Sequence, residues 1–141
     1  MNQNTFPFRV CDVVLPDCNT GYVYMLVSVR DGSFAYFGKT NSIRTRIMQH
    51  NRGIGSLSTE PFHLRPFALY AYICGFNLNQ ELMSFVERNW KIKRDNLIRD
   101  GINDLNAWAR SGNDVISAIS QNPENFGEGS SELSLICVFK E

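Results

Sequence analysis

The sequence predicts an α/β domain of the α+β type: a small, mostly antiparallel three-stranded central sheet flanked by helices, with extra terminal strands. Three observations carry this. The run GYVYMLVSV, residues 21–29, is rich in β-branched and aromatic residues; Asp31-Gly32, a strong hairpin signal, follows it, and FAYFG returns. The run FALYAYICGF, residues 67–76, is apolar on both alternations, as a central strand covered on both faces must be. The stretches NSIRTRIMQH and NLNQELMSFVERNWKIKR repeat apolar residues at helical spacing.

Taken in order, FRVCDVVLP near the N-terminus alternates loosely up to a proline and reads as a short strand or extended arm. The hairpin then places Tyr22 and Tyr24 on one pleat face of the first long strand, across from the Tyr36 region. Asn41 or Ser42 is suited to cap the helix that follows. On that helix Ile43, Arg46, Ile47 and His50 share an arc of about 100°. The buried stripe is thus half arginine and histidine, which demands a reason. The connection NRGIGSLSTEPFHLRP, residues 51–66, is long for a compact domain, and such loops are functional or mobile. In the second helix Leu82, Met83, Val86 and Trp90 form the apolar stripe; Glu87 stands at its edge, while Glu81 lies roughly 120° away, towards solvent. Residues 95–120 read as one or two shorter helices broken at Gly101 and Gly112. QNPENFGEGSS is a turn-rich linker, and ELSLICVFK is a closing strand suited to pair with the N-terminal one.

The 141 residues suffice for one domain with one sizeable core. No apolar run approaches the roughly 20 residues that span a bilayer, and the N-terminus lacks the basic-then-apolar layout of a secretion signal. Cys11, Cys18, Cys74 and Cys137 are scattered without a C-x-x-C pair, so they read as reduced thiols in a nuclear or cytoplasmic protein, of cellular, viral or phage origin. The formal net charge is zero, which alone argues against nucleic acid as partner. Its distribution argues otherwise. Residues 32–59 hold Lys39, Arg44, Arg46 and Arg52 and no acid, and residues 88–99 hold five bases against Asp95, offset by an acidic tail. Two basic segments of this kind can build a basic patch.

YVY at 22–24, YFG at 36–38, Arg46, His50 and Glu87, with GKTNSIRTRIMQHN behind the second triplet, resemble the GIY-YIG endonuclease superfamily. The resemblance covers about half the chain and divides it into a nuclease core at about 20–95 and a helical and strand extension at about 96–141. Within the superfamily, RPFALYAYICGF followed by FVERNW is most similar to the catalytic subunit of the structure-specific endonuclease that cuts branched DNA. Two departures stand out: Tyr22 occupies the position of the motif's first glycine, and there is no cysteine-histidine cluster for that subunit's C-terminal zinc domain, which docks a scaffold.

The resemblance implies a metal-dependent DNA endonuclease and accounts for the polar stripe. Arg46 presents a planar fork of donors to phosphate oxygens. Tyr24 is implied as general base or proton relay for the attacking water, with Tyr36 near it. A free tyrosine titrates near pH 10, so positive charge from Arg46, His50 or a metal would have to favour the phenolate. His50 would hydrogen-bond a tyrosine or phosphate. Glu87 is implied as the metal ligand; Mg2+ or Mn2+ needs few protein carboxylates and completes its shell with water and phosphate. Lys39, Arg44, Arg52 and Arg65 would contact phosphates without reading bases, and the 52–66 connection would seat against the duplex and order on binding. His63 has no assigned role. The expected partners are DNA and a protein scaffold or second copy, with no membrane. Two other readings stay open: an inactive nucleic-acid-binding module on this fold, and a sequence-specific restriction or homing nuclease.

Overall fold

The computed structural model describes residues 21–76, 79–126 and 133–138. Alternation along β1 (Tyr22–Ser28) sets up two layers. Val23, Met25 and Val27 point to one face, Tyr22, Tyr24 and Leu26 to the other, and all seven residues are buried. The Asp31 carboxylate accepts from Ser33 N and Oγ at 3.1 and 2.6 Å, closing the turn into β2 (Ala35–Thr40). The antiparallel register that results sets Tyr22 against Thr40, Tyr24 against Gly38 and Leu26 against Tyr36. On the other side of β1 runs β3 (Phe67–Cys74), antiparallel and buried throughout, with a bulge between Met25 and Leu26.

One face is covered by α2 (Gln80–Arg99) and α3 (Asp104–Ser120). Leu82, Met83, Val86 and Trp90 of α2 join Val115 and Ile119 of α3 in a core with Val23, Met25 and Phe37. Trp90 is its keystone: no part of it is exposed, its Nε1 donates to Trp108 O at 3.1 Å, and its ring meets Phe37 edge-on at 5.0 Å. The other face is covered by α1 (Ile43–Asn51), through Ile43 and Ile47, and by Leu64. A short α4 (Pro123–Phe126) packs through Phe126 onto Phe85 of α2, ring to ring at 5.0 Å. Among the described residues no helix is long and apolar enough to cross a membrane.

The fold is the expected α+β class: the described residues form four strands in the order β2-β1-β3-β4, with β4 at Ser134–Cys137, and each described pairing is antiparallel. β4 pairs with β3, Cys74 facing Ser134 and Ala71 facing Cys137. The strand expected near the N-terminus, and its pairing with the last one, lie outside the described residues. Helix boundaries differ from expectation in three places: in α2, at Gly112, and in the expected linker, where Pro123–Phe126 form α4. α2 runs on through 95–99 and stops where Gly101 takes φ 97°. Gly112 breaks nothing; it lies inside α3, where a Cβ would stand 3.0 Å from Leu135 and 3.2 Å from Trp90 Nε1. Close packing there outweighs the ~1 kcal/mol helix penalty of glycine.

The 51–66 connection is folded by the protein's own contacts, contrary to the expectation that it orders on binding. Asn51 receives the Phe67 amide at 2.6 Å, Ser28 Oγ donates to Leu64 O at 2.6 Å, and Thr59 and Leu64 are buried within two single 3-10 turns, Leu57–Thr59 and Phe62–Leu64. At the start of α1, Ser42 holds the N-cap position, yet its hydroxyl donates to Thr45 Oγ1 at 3.0 Å rather than accepting from a backbone amide.

Replacing Trp90 with alanine empties the middle of the larger core, so Trp90→Ala should lower the unfolding free energy by about 3–5 kcal/mol, read from urea melts.

Candidate active site

α1 turns polar groups towards the sheet because the sheet offers them partners. His50, at the end of α1, is fully buried on the tyrosine face. Its Nε2 lies 2.8 Å from the Tyr24 hydroxyl of β1, and its Nδ1 lies 2.7 Å from Thr59 Oγ1 in the connection. The Tyr36 ring, from β2, approaches His50 to 4.8 Å and Tyr24 to 6.4 Å between centroids. Arg46, one turn before His50, is half-buried. Its Nη1 donates to Gln49 Oε1 at 3.0 Å and its Nη2 to Gly55 O at 2.7 Å, and the guanidinium sits near enough to the Tyr24 hydroxyl to pull its pKa down. Four of the five side chains expected to form the site therefore touch through direct contacts.

Two glycines make this closeness possible for steric reasons. Gly38 faces Tyr24 across the β1–β2 ladder, and a Cβ there would stand 2.6 Å from Tyr24 Cζ and collide with its hydroxyl. Gly55 lies against the imidazole, where a Cβ would fall 2.6 Å from His50 Nδ1. The YFG triplet signals the first in the sequence. Gly55, Gln49 and Thr59 carry no such signal, because what makes them matter is where the connection closes in space.

Glu87 comes from the other layer, on α2. It is half-buried, and its carboxylate makes no hydrogen bond or ion pair among the described residues. Electrostatics link it to the tyrosine cluster: its charge helps raise the Tyr24 pKa, and Lys39, next to Gly38 on β2, opposes the rise in its own. A single unpaired carboxylate fits a hard divalent cation, which takes few protein ligands. Among the described residues no three His, Cys, Asp or Glu side chains converge as they would around zinc.

Burial dominates the titration of the cluster. The Tyr24 phenol is pushed well above its ordinary range, first by desolvation and then by Tyr36 and Glu87, against the opposing hydrogen bond and charge of Arg46. The protein's own groups thus hold Tyr24 protonated. His50 is lowered to about 4 by burial and then by Arg46, so it is neutral at pH 7 and adds no positive field. The Glu87 carboxyl is raised by burial.

Of the four residues expected on phosphates, Lys39, Arg44 and Arg52 are exposed. Arg65 is partly buried and braces the connection: its Nη2 donates to Glu60 O at 2.6 Å, and its guanidinium lies 5.1 Å from the Phe62 ring centre. His63 is exposed beside the β1–β2 turn, its charge acting on Asp31.

A family model described as the GIY-YIG catalytic domain matches residues 20–99, more than half of the 141-residue chain and a span that contains Tyr24, Tyr36, Arg46, His50 and Glu87. No curated protein matches the chain.

The depressed His50 pKa has a stability consequence. Unfolded histidine takes up a proton near pH 6.5, whereas folded His50 resists until about 4. Its contribution is therefore present above pH 6.5 and lost as pH falls towards 4, by on the order of 3 kcal/mol. Urea melts stepped between pH 7.5 and 4 should show this loss, and His50→Gln should remove that part of the slope.

Proposed function

Because the chain belongs to the GIY-YIG catalytic domain family, a family of endonucleases, we propose that it is a metal-dependent nuclease acting on branched or otherwise structured DNA. The observation that carries the reading is the buried contact of Tyr24, His50 and Arg46, with the unpaired carboxylate of Glu87 within electrostatic reach.

Glu87 would hold the Mg2+ or Mn2+ ion, which when bound supplies positive charge to the phosphate and its leaving oxygen. The remaining chemistry belongs to the side chains. Arg46 has five N–H groups, of which Gln49 and Gly55 engage two; these bonds fix the guanidinium beforehand, and its remaining donors face phosphate oxygens. When bound DNA brings the attacking water against the otherwise buried Tyr24 hydroxyl, Tyr24 takes a proton from that water as it passes its own to neutral His50; the hydroxide oxygen bonds to phosphorus while the bridging oxygen departs and takes a proton from solvent. Negative charge building on the phosphate favours the resulting imidazolium. Tyr36 closes the ring side of His50 and keeps bulk water from the relay. Lys39, Arg44 and Arg52 extend the contact along the backbone, and Arg65 sets the shape of the connection. Preference for branched substrates is supported by the likeness of residues 65–76 and 85–90 to the structure-specific subunit.

Purified protein with Mg2+ or Mn2+ should nick flaps, forks or junctions. Tyr24→Phe, Arg46→Ala and Glu87→Gln should each lower the rate by ~10²–10³ or more with circular dichroism unchanged. Metal-independent DNA binding without any nicking would assign a binding module instead, and cutting confined to one duplex sequence would assign a restriction-type enzyme.

A further inference from the structure

We propose that Thr59 is a positioning residue for the hydrolysis: its hydroxyl fixes the His50 tautomer that leaves Nε2 unprotonated and facing the Tyr24 hydroxyl. This rests on the nuclease reading for its consequence, but not for its geometry.

The direction of the hydrogen bonds follows from counting protons. Tyr24, His50 and Thr59 are all fully buried, so each polar hydrogen needs an acceptor inside the protein. Neutral imidazole carries one N–H, and two arrangements fit the distances of 2.8 and 2.7 Å. In the first, Nε2–H would donate to Tyr24 and Thr59 would donate to Nδ1. The Tyr24 oxygen would then accept from His50. In the protein without DNA its own proton would be stranded, because among the described residues Nε2 is the one hydrogen-bond partner of this buried hydroxyl. In the second, Tyr24 donates to Nε2, Nδ1–H donates to Thr59 Oγ1, and the threonine hydroxyl donates to Ser56 O at 3.3 Å. Every proton is then placed. The second arrangement is the one that also does chemistry, since it alone lets Tyr24 hand its proton inward.

Thr59 can impose this choice because its own position is fixed. Ser56 caps the 3-10 turn Leu57–Thr59 by accepting from Ser58 N at 3.2 Å, and the Thr59 amide donates to Ser56 O at 3.2 Å. The same connection anchors Arg46 through Gly55 O. A serine at 59 would keep the acceptor; a valine would keep the shape and lose it.

The test is nitrogen NMR on full-length protein labelled with 15N-histidine, alongside nicking of branched DNA. Wild type should show His50 protonated on Nδ1 with a bare Nε2, as should Thr59→Ser. Thr59→Val should shift His50 towards the Nε2–H form and slow single-turnover nicking on the order of 10²-fold, with affinity for uncut DNA unchanged and the serine variant near wild-type rate. A wild-type His50 protonated on Nε2 would overturn the proposal, as would Thr59→Val retaining both the Nδ1–H form and the full rate. Should Thr59→Val fail to fold, the wild-type and serine spectra still decide the tautomer. If no variant nicks, the nuclease reading fails while the spectra still judge the role of Thr59.

Discussion

The hydrogen bond between Tyr24 and His50, 2.8 Å long and shielded from solvent, is the constraint on which the site depends. A phenol and an imidazole removed from water must satisfy each other, or each costs ~1–3 kcal/mol. From this follow a helix that aims histidine at the sheet, a glycine opposite Tyr24, a second glycine against the imidazole, and a connection that brings Thr59 to the remaining ring nitrogen. Arg46 is drawn into the same arrangement by its bond to Gly55 O, and its charge acts on the Tyr24 hydroxyl. The puzzle of a polar stripe among isoleucines is thereby resolved: Ile43 and Ile47 hold α1 on the sheet, and His50 and Arg46 beside them find their partners in Tyr24, Thr59 and the 51–66 connection.

The site is divided between the two layers. Tyr24, Tyr36, Arg46 and His50 occupy the α1 face, whereas Glu87 rides on α2, whose apolar stripe is committed to the other core. β2 lies at the sheet edge between them, and its Gly38-Lys39 pair meets both sides: the glycine lies against Tyr24, and the lysine acts on the Glu87 carboxyl. Separating the carboxylate from the guanidinium in this way keeps the two from neutralising each other in a direct ion pair. Each is left able to engage a ligand, the acid a cation and the arginine a phosphate.

Much of this was legible in residue order. Pleat alternation gave both faces of β1, the Asp31-Gly32 turn gave the hairpin, and helical spacing brought Arg46 and His50 onto the buried stripe. What escaped was whatever depends on contacts between distant segments. Thr59 is one hydroxyl in a serine-rich connection, and only the closure of that connection over α1 gives it a partner. Gly112 reads as a breaker from propensity, but the approach of Trp90 and Leu135 makes it a packing position. The neutrality of the Tyr24–His50 pair was hidden too, since burial is a property of the assembled core and outweighs the guanidinium beside it.

The central claim is that one phosphate is held between Arg46 and a cation on Glu87, with Tyr24 beside the attacking water. Its most direct test is a crystal structure with Mn2+ and a phosphorothioate-protected branched DNA. The account predicts anomalous manganese density on the Glu87 carboxylate, a phosphate within hydrogen-bond distance of Arg46, and a water between that phosphate and the Tyr24 hydroxyl. DNA lying on another face, with manganese absent from Glu87, would contradict it.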